Sequence, residues 1–307
     1  MSDGGPEVKK RFYTRLMDVY RHNDIYIPGF NFVARSMLKA KAENAYSRIA
    51  SQSDKLNPEI QSWLNTKNLF FGYGVFRSGT TFLADFLNRN VKKAVIQHEA
   101  NVNDYWFYAK AIQSDQYALN YIQNYRLSEI YLRTKSLEFD TYGEINPFLR
   151  RHCAAMKPVL PTAKQFHIVR DPKNVLRSLM SRELFDRKDP MGNVIKPHPQ
   201  DPFHEQWPRM TRFEKLCWLW AADNQFIREN VPHCMKFEEL RKDFGYFDEK
   251  VLSYLKLEMN VDDWHSEIGK VFNSTPKYTF PKYAEWSTEN KNHFERICAE
   301  EMSHYGY

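Results

Sequence analysis

The sequence has few cysteines, no long apolar run and no basic arm, and each absence excludes a class of protein. Its four cysteines lie far apart without a C-x-x-C pair, at positions 153, 217, 234 and 298. This pattern predicts reduced thiols inside a cell rather than a disulfide framework. No stretch approaches the roughly 20 apolar residues of a membrane-spanning helix, and the polar N-terminus lacks the apolar centre of a signal peptide. We therefore expect a cytoplasmic protein that does not span a membrane.

The composition is typical of a soluble globular protein with a moderate positive charge. The chain has 307 residues, of which 42% are hydrophobic and 27% charged, and its net charge is +6. This length predicts one large domain, or one domain with a lid. Lysine and arginine are spread along the chain, which favours anionic ligands and argues against nucleic acid as a partner. The aromatic content of 15% predicts a sizeable core and an aromatic-lined pocket.

The strongest local signal is a polar turn between an apolar run and a helical pattern. The run covers residues 69–76, contains no proline and is typical of a buried strand. Apolar residues at 82, 83, 86 and 87 then give one face of a helix. Strand, tight turn and helix together form the arrangement in which free backbone N–H groups bind an anion. The turn supplies the candidate binding residues: Arg77, Ser78, Gly79, Thr80 and Thr81.

This turn differs from the phosphate loop of nucleoside triphosphatases. Gly74 and Gly79 have the separation of the G-x-x-x-x-G motif, but Thr80 stands where that motif has Lys. The cation lies inside the loop instead, as Arg77. A guanidinium with two hydroxyl groups at the start of the helix suits an oxyanion that is bound without an obligatory metal. We therefore predict an anion site and no metal site.

Further strands and helices alternate along the chain. Short apolar runs predict strands at 94–97, 137–145, 166–169 and 234–237, with helical patterns between them. This order predicts an α/β fold with a mostly parallel central sheet flanked by helices. Residues 1–66 read as a helical N-terminal cap, and residues 67–307 as the main domain, forming one structural unit. Arg77, Glu99, Glu144 and Arg170 each follow or end a predicted strand, at the edge where such sheets bind ligands.

Two stretches resemble the sulfotransferases that use 3′-phosphoadenosine 5′-phosphosulfate (PAPS), the activated sulfate donor. Residues 76–83, Phe-Arg-Ser-Gly-Thr-Thr-Phe-Leu, are similar to the 5′-phosphosulfate loop of the carbohydrate and tyrosylprotein branches. Residues 166–178 are similar to the 3′-phosphate motif, with Arg170 after a strand and Ser178 in the following helix. The resemblance covers residues 68–307. It implies a P-loop-like sulfotransferase fold, PAPS as donor and 3′,5′-adenosine bisphosphate (PAP) as product.

The resemblance also implies roles for individual residues in donor binding. Residues 78–81 would hold the 5′ end of the donor, and Arg77 would meet the charge that develops on the bridging oxygen. Arg170 and Ser178 would bind the 3′-phosphate. Lys277 is a candidate to close over the phosphates, although the Arg-Lys-Gly motif of the cytosolic members is absent. Because a sulfuryl group carries less charge than a phosphoryl group, we expect no metal in the reaction.

The acceptor needs a base, and three residues near the predicted strand ends are candidates. Glu144 matches the base of the heparan-type branch and ranks first, although Ile145 replaces the usual Lys beside it. Glu99 resembles the base of the tyrosylprotein branch and ranks second, and His98 ranks third. Tyr142, Trp106 and Tyr105 are candidates for the wall of the acceptor pocket, with core packing as the alternative.

These features predict transfer of a sulfuryl group from PAPS to a hydroxyl group, or an amine, of an acceptor. A small metabolite is the favoured acceptor, while a carbohydrate and a peptidyl tyrosine stay open. Two alternatives remain at this point: a P-loop kinase acting on a small molecule, and an inactive nucleotide-binding or scaffold protein. Nothing in the sequence indicates the oligomeric state.

Overall fold

The computed structural model describes residues 57–101, 104–182, 184–186, 194–268 and 279–307, with residues 40, 43, 44 and 47 from the preceding segment. Residues 44–307 form one compact unit. Most of the predicted helical cap, and Lys277, lie outside the described residues. The predicted boundary after residue 66 therefore stays a prediction.

Five strands form the predicted parallel sheet, which confirms the α/β fold. Every pair of neighbouring strands is parallel, and the spatial order is β2-β3-β1-β4-β5. The strands are β1 (Asn68–Tyr73), β2 (Ala94–Gln97), β3 (Thr141–Ile145), β4 (Lys164–Val169) and β5 (Cys234–Lys236).

Helices connect and cover the strands. In chain order they are α1 (Pro58–Asn65), α2 (Thr80–Asn90), α3 (Asp104–Ala111), α4 (Asp115–Asn120), α5 (Leu127–Thr134), α6 (Cys153–Val159), α7 (Pro172–Met180), α8 (Arg212–Asn230), α9 (Phe237–Leu240), α10 (Phe244–Phe247), α11 (Val261–Glu267) and α12 (Thr288–Tyr305). One-turn π-helical segments cover Tyr121–Arg126 and Asp248–Ser253, and 3₁₀ turns cover Pro147–His152, Trp207–Arg209 and Tyr283–Glu285. No helix in the described part of the chain is both long and apolar enough to cross a lipid bilayer.

The sheet separates two apolar cores, because successive side chains of a strand point to opposite faces. Phe70 and Ile168 belong to the core that includes α2, whereas Val169 belongs to the core that includes α3, α7, α8 and α12. Burial on both faces explains why the strands read as continuous apolar runs rather than alternating ones.

Local sequence signals set the helices that carry the site. Pro172 is the first residue of α7, and the Asp171 side chain caps this helix by accepting from the Lys173 N–H. Thr211 and Glu214 form a reciprocal capping box at the start of α8. The central position of β1 between β3 and β4 places the loops after β1 and β4 side by side, at the edge where parallel sheets bind ligands.

The buried His167 of β4 makes stability depend on pH. Its Nε2 lies 2.9 Å from the side-chain oxygen Oδ1 of Asn224, and burial lowers its pKa from 6.5 to about 4. The unfolded chain therefore binds a proton on this residue at a higher pH than the folded chain does. As the pH falls from 6.5 towards 4, this residue should lower the free energy of unfolding by about 1.4 kcal/mol per pH unit.

Chemical denaturation of the wild type and His167→Gln at several pH values measures this contribution. As the pH is lowered from 6.5 towards 4, the free energy of unfolding of the wild type should fall relative to that of His167→Gln. His265→Gln, at an exposed position, should give a curve parallel to that of the wild type. Parallel curves for His167→Gln and the wild type would contradict the expected linkage.

Candidate functional site

The loop after β1 is closed on itself by Ser78. Its N–H and its hydroxyl group both donate to the Val75 carbonyl, at 3.1 and 2.7 Å. A Cβ atom on Gly74 would lie 2.4 Å from the Ser78 hydroxyl oxygen and 2.7 Å from the Ile168 carbonyl, so this position requires glycine. The structure thus places Ser78 inside the turn, where it shapes the loop.

The end of the loop opens the N-terminus of α2 towards a ligand. Arg77 and Gly79 have left-handed φ angles of 70° and 99°, and a Cβ atom on Gly79 would lie 2.1 Å from the Phe237 ring. Because Gly79 has no side chain, it cannot cap the helix as Ser or Asp would. Thr80 and Thr81 follow as the first residues of α2, the helix end that favours negative charge.

The two anion motifs meet in one place, although they come from different strands. A guanidinium N–H of Arg170 donates to the Arg77 carbonyl at 2.8 Å. In return, the Nε–H of Arg77 donates to the Ser178 hydroxyl group at 2.9 Å. Ser178 is 2% exposed, and the Arg170 guanidinium lies 5.0 Å from the centre of the Phe237 ring. Arg77, Arg170 and Ser178 therefore form one continuous cationic site.

Two neighbouring elements fix the strand end that carries Arg170. The indole N–H of Trp220, on α8, donates to the Arg170 carbonyl at 3.3 Å. The Asp171 N–H donates to Glu238 at 3.1 Å, and Glu238 in turn accepts from the Tyr307 hydroxyl group at 3.0 Å. The peptide group between Arg170 and Asp171 is thus held at its carbonyl and at its N–H by residues outside its own strand.

Of the three candidate bases, His98 lies directly at the loop. Its Nε2 is 3.2 Å from the hydroxyl oxygens of both Thr80 and Thr81. The nearest Glu99 carboxylate oxygen is 3.8 Å from the same nitrogen. The two side chains are 18% and 30% exposed, which leaves both within reach of solvent and of a ligand.

Glu144 lies elsewhere, in a closed cluster of charges. It is 0% exposed, and its carboxylate accepts from Arg126, from the Asn146 amide at 2.9 Å and from the Tyr142 hydroxyl group at 3.2 Å. In the sheet, Glu144 pairs with Phe71 of β1, and Phe71 lies three residues before Gly74. At about 3.3 Å per residue, this row lies about 10 Å short of the loop.

Sequence reasoning missed the partners of Glu144. Arg126 contacts Asp104, Glu129 and Glu144, and Asp104 also accepts from Asn146 at 2.7 Å. Burial, with the repulsion of Glu144, raises the pKa of Asp104 to about 7 although Arg126 opposes the shift. The sequence signal that could have indicated this cluster was Arg126, which stands in a stretch rich in Tyr, Ile and Leu.

Of the three residues predicted for the acceptor pocket, two are buried and one is partly exposed. Tyr142 is fully buried beside Glu144, and Tyr105 is buried in the core with its ring against Trp106 and Phe148. Trp106 alone is partly exposed.

A cavity of about 710 Å³ lies at the opposite edge of the sheet, with Lys93, Thr141 and Lys256 among its lining residues. It is not part of this site.

No cluster of three or more His, Cys, Asp or Glu side chains suited to a metal occurs among the described residues. The expectation that the reaction needs no metal stays a prediction.

Among the solved structures that match the chain are sulfotransferases, the family that the two motifs resemble. A sulfotransferase from Alicyclobacillus acidocaldarius has 16% identity and a TM-score of 0.43, over 77% of this chain and 93% of its own. Mouse sulfotransferase SULT7A1, in complex with PAP, has 15% identity and a TM-score of 0.42, over 85% and 88%. Sulfotransferase STF9 from Mycobacterium avium has 11% identity and a TM-score of 0.47, over 92% and 87%.

No family model and no curated protein matches the chain. At identities of 16% or less, these structural matches carry no conclusion about activity. The function is therefore inferred from the site itself.

The loop should not tolerate a side chain at Gly79. In Gly79→Ala, the left-handed φ and the overlap with Phe237 should together lower the free energy of unfolding by more than about 2 kcal/mol. Denaturant titration measures the change. Gly245→Ala is the control, because its Cβ would meet only the Asp243 carboxylate, at 3.2 Å, and should cost less than about 1 kcal/mol. Equal stability of the two variants would refute this account of the loop.

Proposed function

We propose that the chain is a sulfotransferase that transfers a sulfuryl group from PAPS to a hydroxyl group, or an amine, of an acceptor. The observation that carries the proposal is the contact between the two anion motifs. Arg170 donates to the carbonyl of Arg77, and Arg77 donates to Ser178, so two cations from separate strands serve one ligand site. A ligand with two anionic groups, one at each end of a nucleoside, fits this arrangement.

The residues present fit the donor at both ends. The first-turn N–H groups of α2 and the hydroxyl groups of Thr80 and Thr81 would hold the 5′ end, because a helix N-terminus without a side-chain cap binds anions. Arg170 and Ser178 would hold the 3′-phosphate. Arg77 lies between the two ends and joins them through its carbonyl group and its guanidinium. The donor, when bound, supplies the activated sulfuryl group.

His98 and Glu99 are better placed to act as the base than Glu144. The acceptor must lose its proton to a side chain at the loop as its oxygen attacks sulfur. His98 meets this condition through its contacts with Thr80 and Thr81, and Glu99 lies beside it. Negative charge develops on the phosphate oxygen that leaves the sulfur. Arg77 is the cation of the loop, and its guanidinium would stabilise this charge. We propose a structural role for Glu144 as the buried partner of Arg126.

The acceptor that we propose is a small metabolite, with a carbohydrate and a peptidyl tyrosine as alternatives. The partly exposed Trp106 ring supplies an apolar contact near the carboxyl edge of the sheet. A cytoplasmic location remains part of the same proposal.

Arg170→Ala tests the donor site. Loss of a charge-assisted hydrogen bond should weaken PAP binding by about 1.5–3 kcal/mol, or roughly 10- to 150-fold. Isothermal titration calorimetry should show a much smaller loss for adenosine 5′-monophosphate, which lacks the 3′-phosphate. Arg209→Ala, at an exposed position of the Trp207–Arg209 turn, should bind PAP as the wild type does.

The outcomes of this titration separate the proposal from its rivals. Wild-type protein that does not bind PAP at micromolar concentrations would refute the sulfotransferase assignment. Tighter binding of Mg·ATP than of PAP would favour a kinase. An equal loss for PAP and the monophosphate would place Arg170 away from the 3′-phosphate.

Substitution of the three acidic or basic candidates tests the choice of base. With radiolabelled donor and a panel of phenols, alcohols and sugars, His98→Gln or Glu99→Gln should lower kcat by about 10²- to 10⁴-fold without a loss of stability. Glu144→Gln should instead lower the free energy of unfolding by about 1–3 kcal/mol, because Arg126 loses one of its two fully buried carboxylate partners. Abolished turnover in a fully stable Glu144→Gln variant would return the role of base to Glu144.

A further inference from the structure

A buried charge cluster adjoins the phosphate loop and has no role in the proposed reaction. It consists of Tyr108, Arg150, Arg151 and Asp223. One oxygen of Asp223 accepts from the Tyr108 hydroxyl group at 2.8 Å and from Arg150, and the other accepts from Nε of Arg151 at 2.6 Å. Burial alone would raise the pKa of Asp223, but the two guanidinium groups hold it below its ordinary value. The cluster therefore holds two cations against one anion.

Arg150 connects this cluster to the loop. Its guanidinium carbon lies 4.3 Å from the centre of the Phe76 ring and 3.8 Å from that of the Tyr108 ring. The Phe76 ring also packs edge-on against Phe148, with a centroid distance of 5.0 Å. Phe76 directly precedes Arg77, whose left-handed φ of 70° sets the direction of the loop. Contacts that fix the Phe76 ring thus restrain the backbone from which the Arg77 side chain extends.

Fold stability does not account for a cation at position 150. Arg150 is 0% exposed, and its Nη2 is buried without a hydrogen-bond partner among the described residues. Desolvation of a guanidinium costs several kcal/mol, and well-packed apolar side chains in such places often give equal or greater stability. Arg150 differs from Arg151 in its contacts with the Phe76 and Tyr108 rings and in a hydrogen bond to the Pro147 carbonyl. Of these contacts, only the one with Phe76 reaches the loop, and Arg151 lies against Phe226 at 4.8 Å instead.

We propose that Arg150 is a positioning residue for the phosphate loop, acting through its contact with Phe76 to hold Arg77 in its binding direction. The effect on the nucleotide rests on the proposed function, whereas the effect on the loop does not. A desolvated cation–π contact of this kind corresponds to about a tenfold change in an equilibrium constant.

Arg150→Met and Arg151→Met form a matched pair that tests the proposal. Each variant removes one positive charge and one hydrogen-bond donor to Asp223, but only Arg150→Met removes the contact with Phe76. PAP affinity, measured by calorimetry, should fall about tenfold in Arg150→Met and less than about threefold in Arg151→Met. Arg150→Lys should recover part of the loss, since a cation returns beside the ring.

Hydrogen–deuterium exchange without ligand provides the second measurement. Peptides that cover residues 74–83 should exchange faster in Arg150→Met than in Arg151→Met or the wild type, because the Ser78 and Leu83 amides are bonded within the loop region. Phe76→Leu should raise exchange to the same level, with no further rise when it is combined with Arg150→Met.

The two measurements distinguish failure of this proposal from failure of the proposed function. Faster exchange in Arg150→Met, together with a wild type that does not bind PAP, would support the positioning role and refute the sulfotransferase assignment. Equal exchange rates in the two Met variants would overturn the positioning role, as would equal PAP affinities where the wild type binds PAP, because a general effect of the lost charge would then suffice.

Discussion

Two positively charged side chains, those of Arg77 and Arg170, must be held at one loop, and much of the fold supplies that restraint. Cations that converge in a partly buried site repel each other unless fixed dipoles or an anion compensate them. The Arg77 carbonyl and the Ser178 hydroxyl group supply two such dipoles. Trp220 of α8 holds the backbone at Arg170, and the Phe237 ring lies against its guanidinium. The positive potential that remains selects for anions.

Helix α8 links the two halves of this site from one side of the sheet. Its Trp220 reaches the strand end that carries Arg170, and its Asp223 binds Arg150, which lies against Phe76 in the loop. One rigid helix thus sets the position of both anion motifs relative to each other. Such a support suits a ligand with two anionic groups at a fixed separation, because neither half of the site can shift without the other.

The sequence was sufficient to predict the sheet, the loop and the convergence of the two motifs. Strand patterns were clear for β1 and β4 because these central strands are largely buried, and Pro172 marked the start of α7. It could not rank the bases. A glutamate near a strand end has the same sequence pattern whether it reaches the rim, as Glu99 does, or lies deeper in the sheet beside a buried Arg126, as Glu144 does. The sequence did not indicate that Arg126 and Arg150 are buried, since burial of a cation depends on distant partners.

The contact between Gly79 and the Phe237 ring has a consequence for the order of folding. Phe237 follows β5, the last of the described strands in chain order, whereas Gly79 follows β1, the first of them. Contacts between segments so far apart in sequence form slowly, because a long loop must close before they contribute. The ring that packs against Gly79 therefore reaches the loop only after more than 150 further residues have been synthesised.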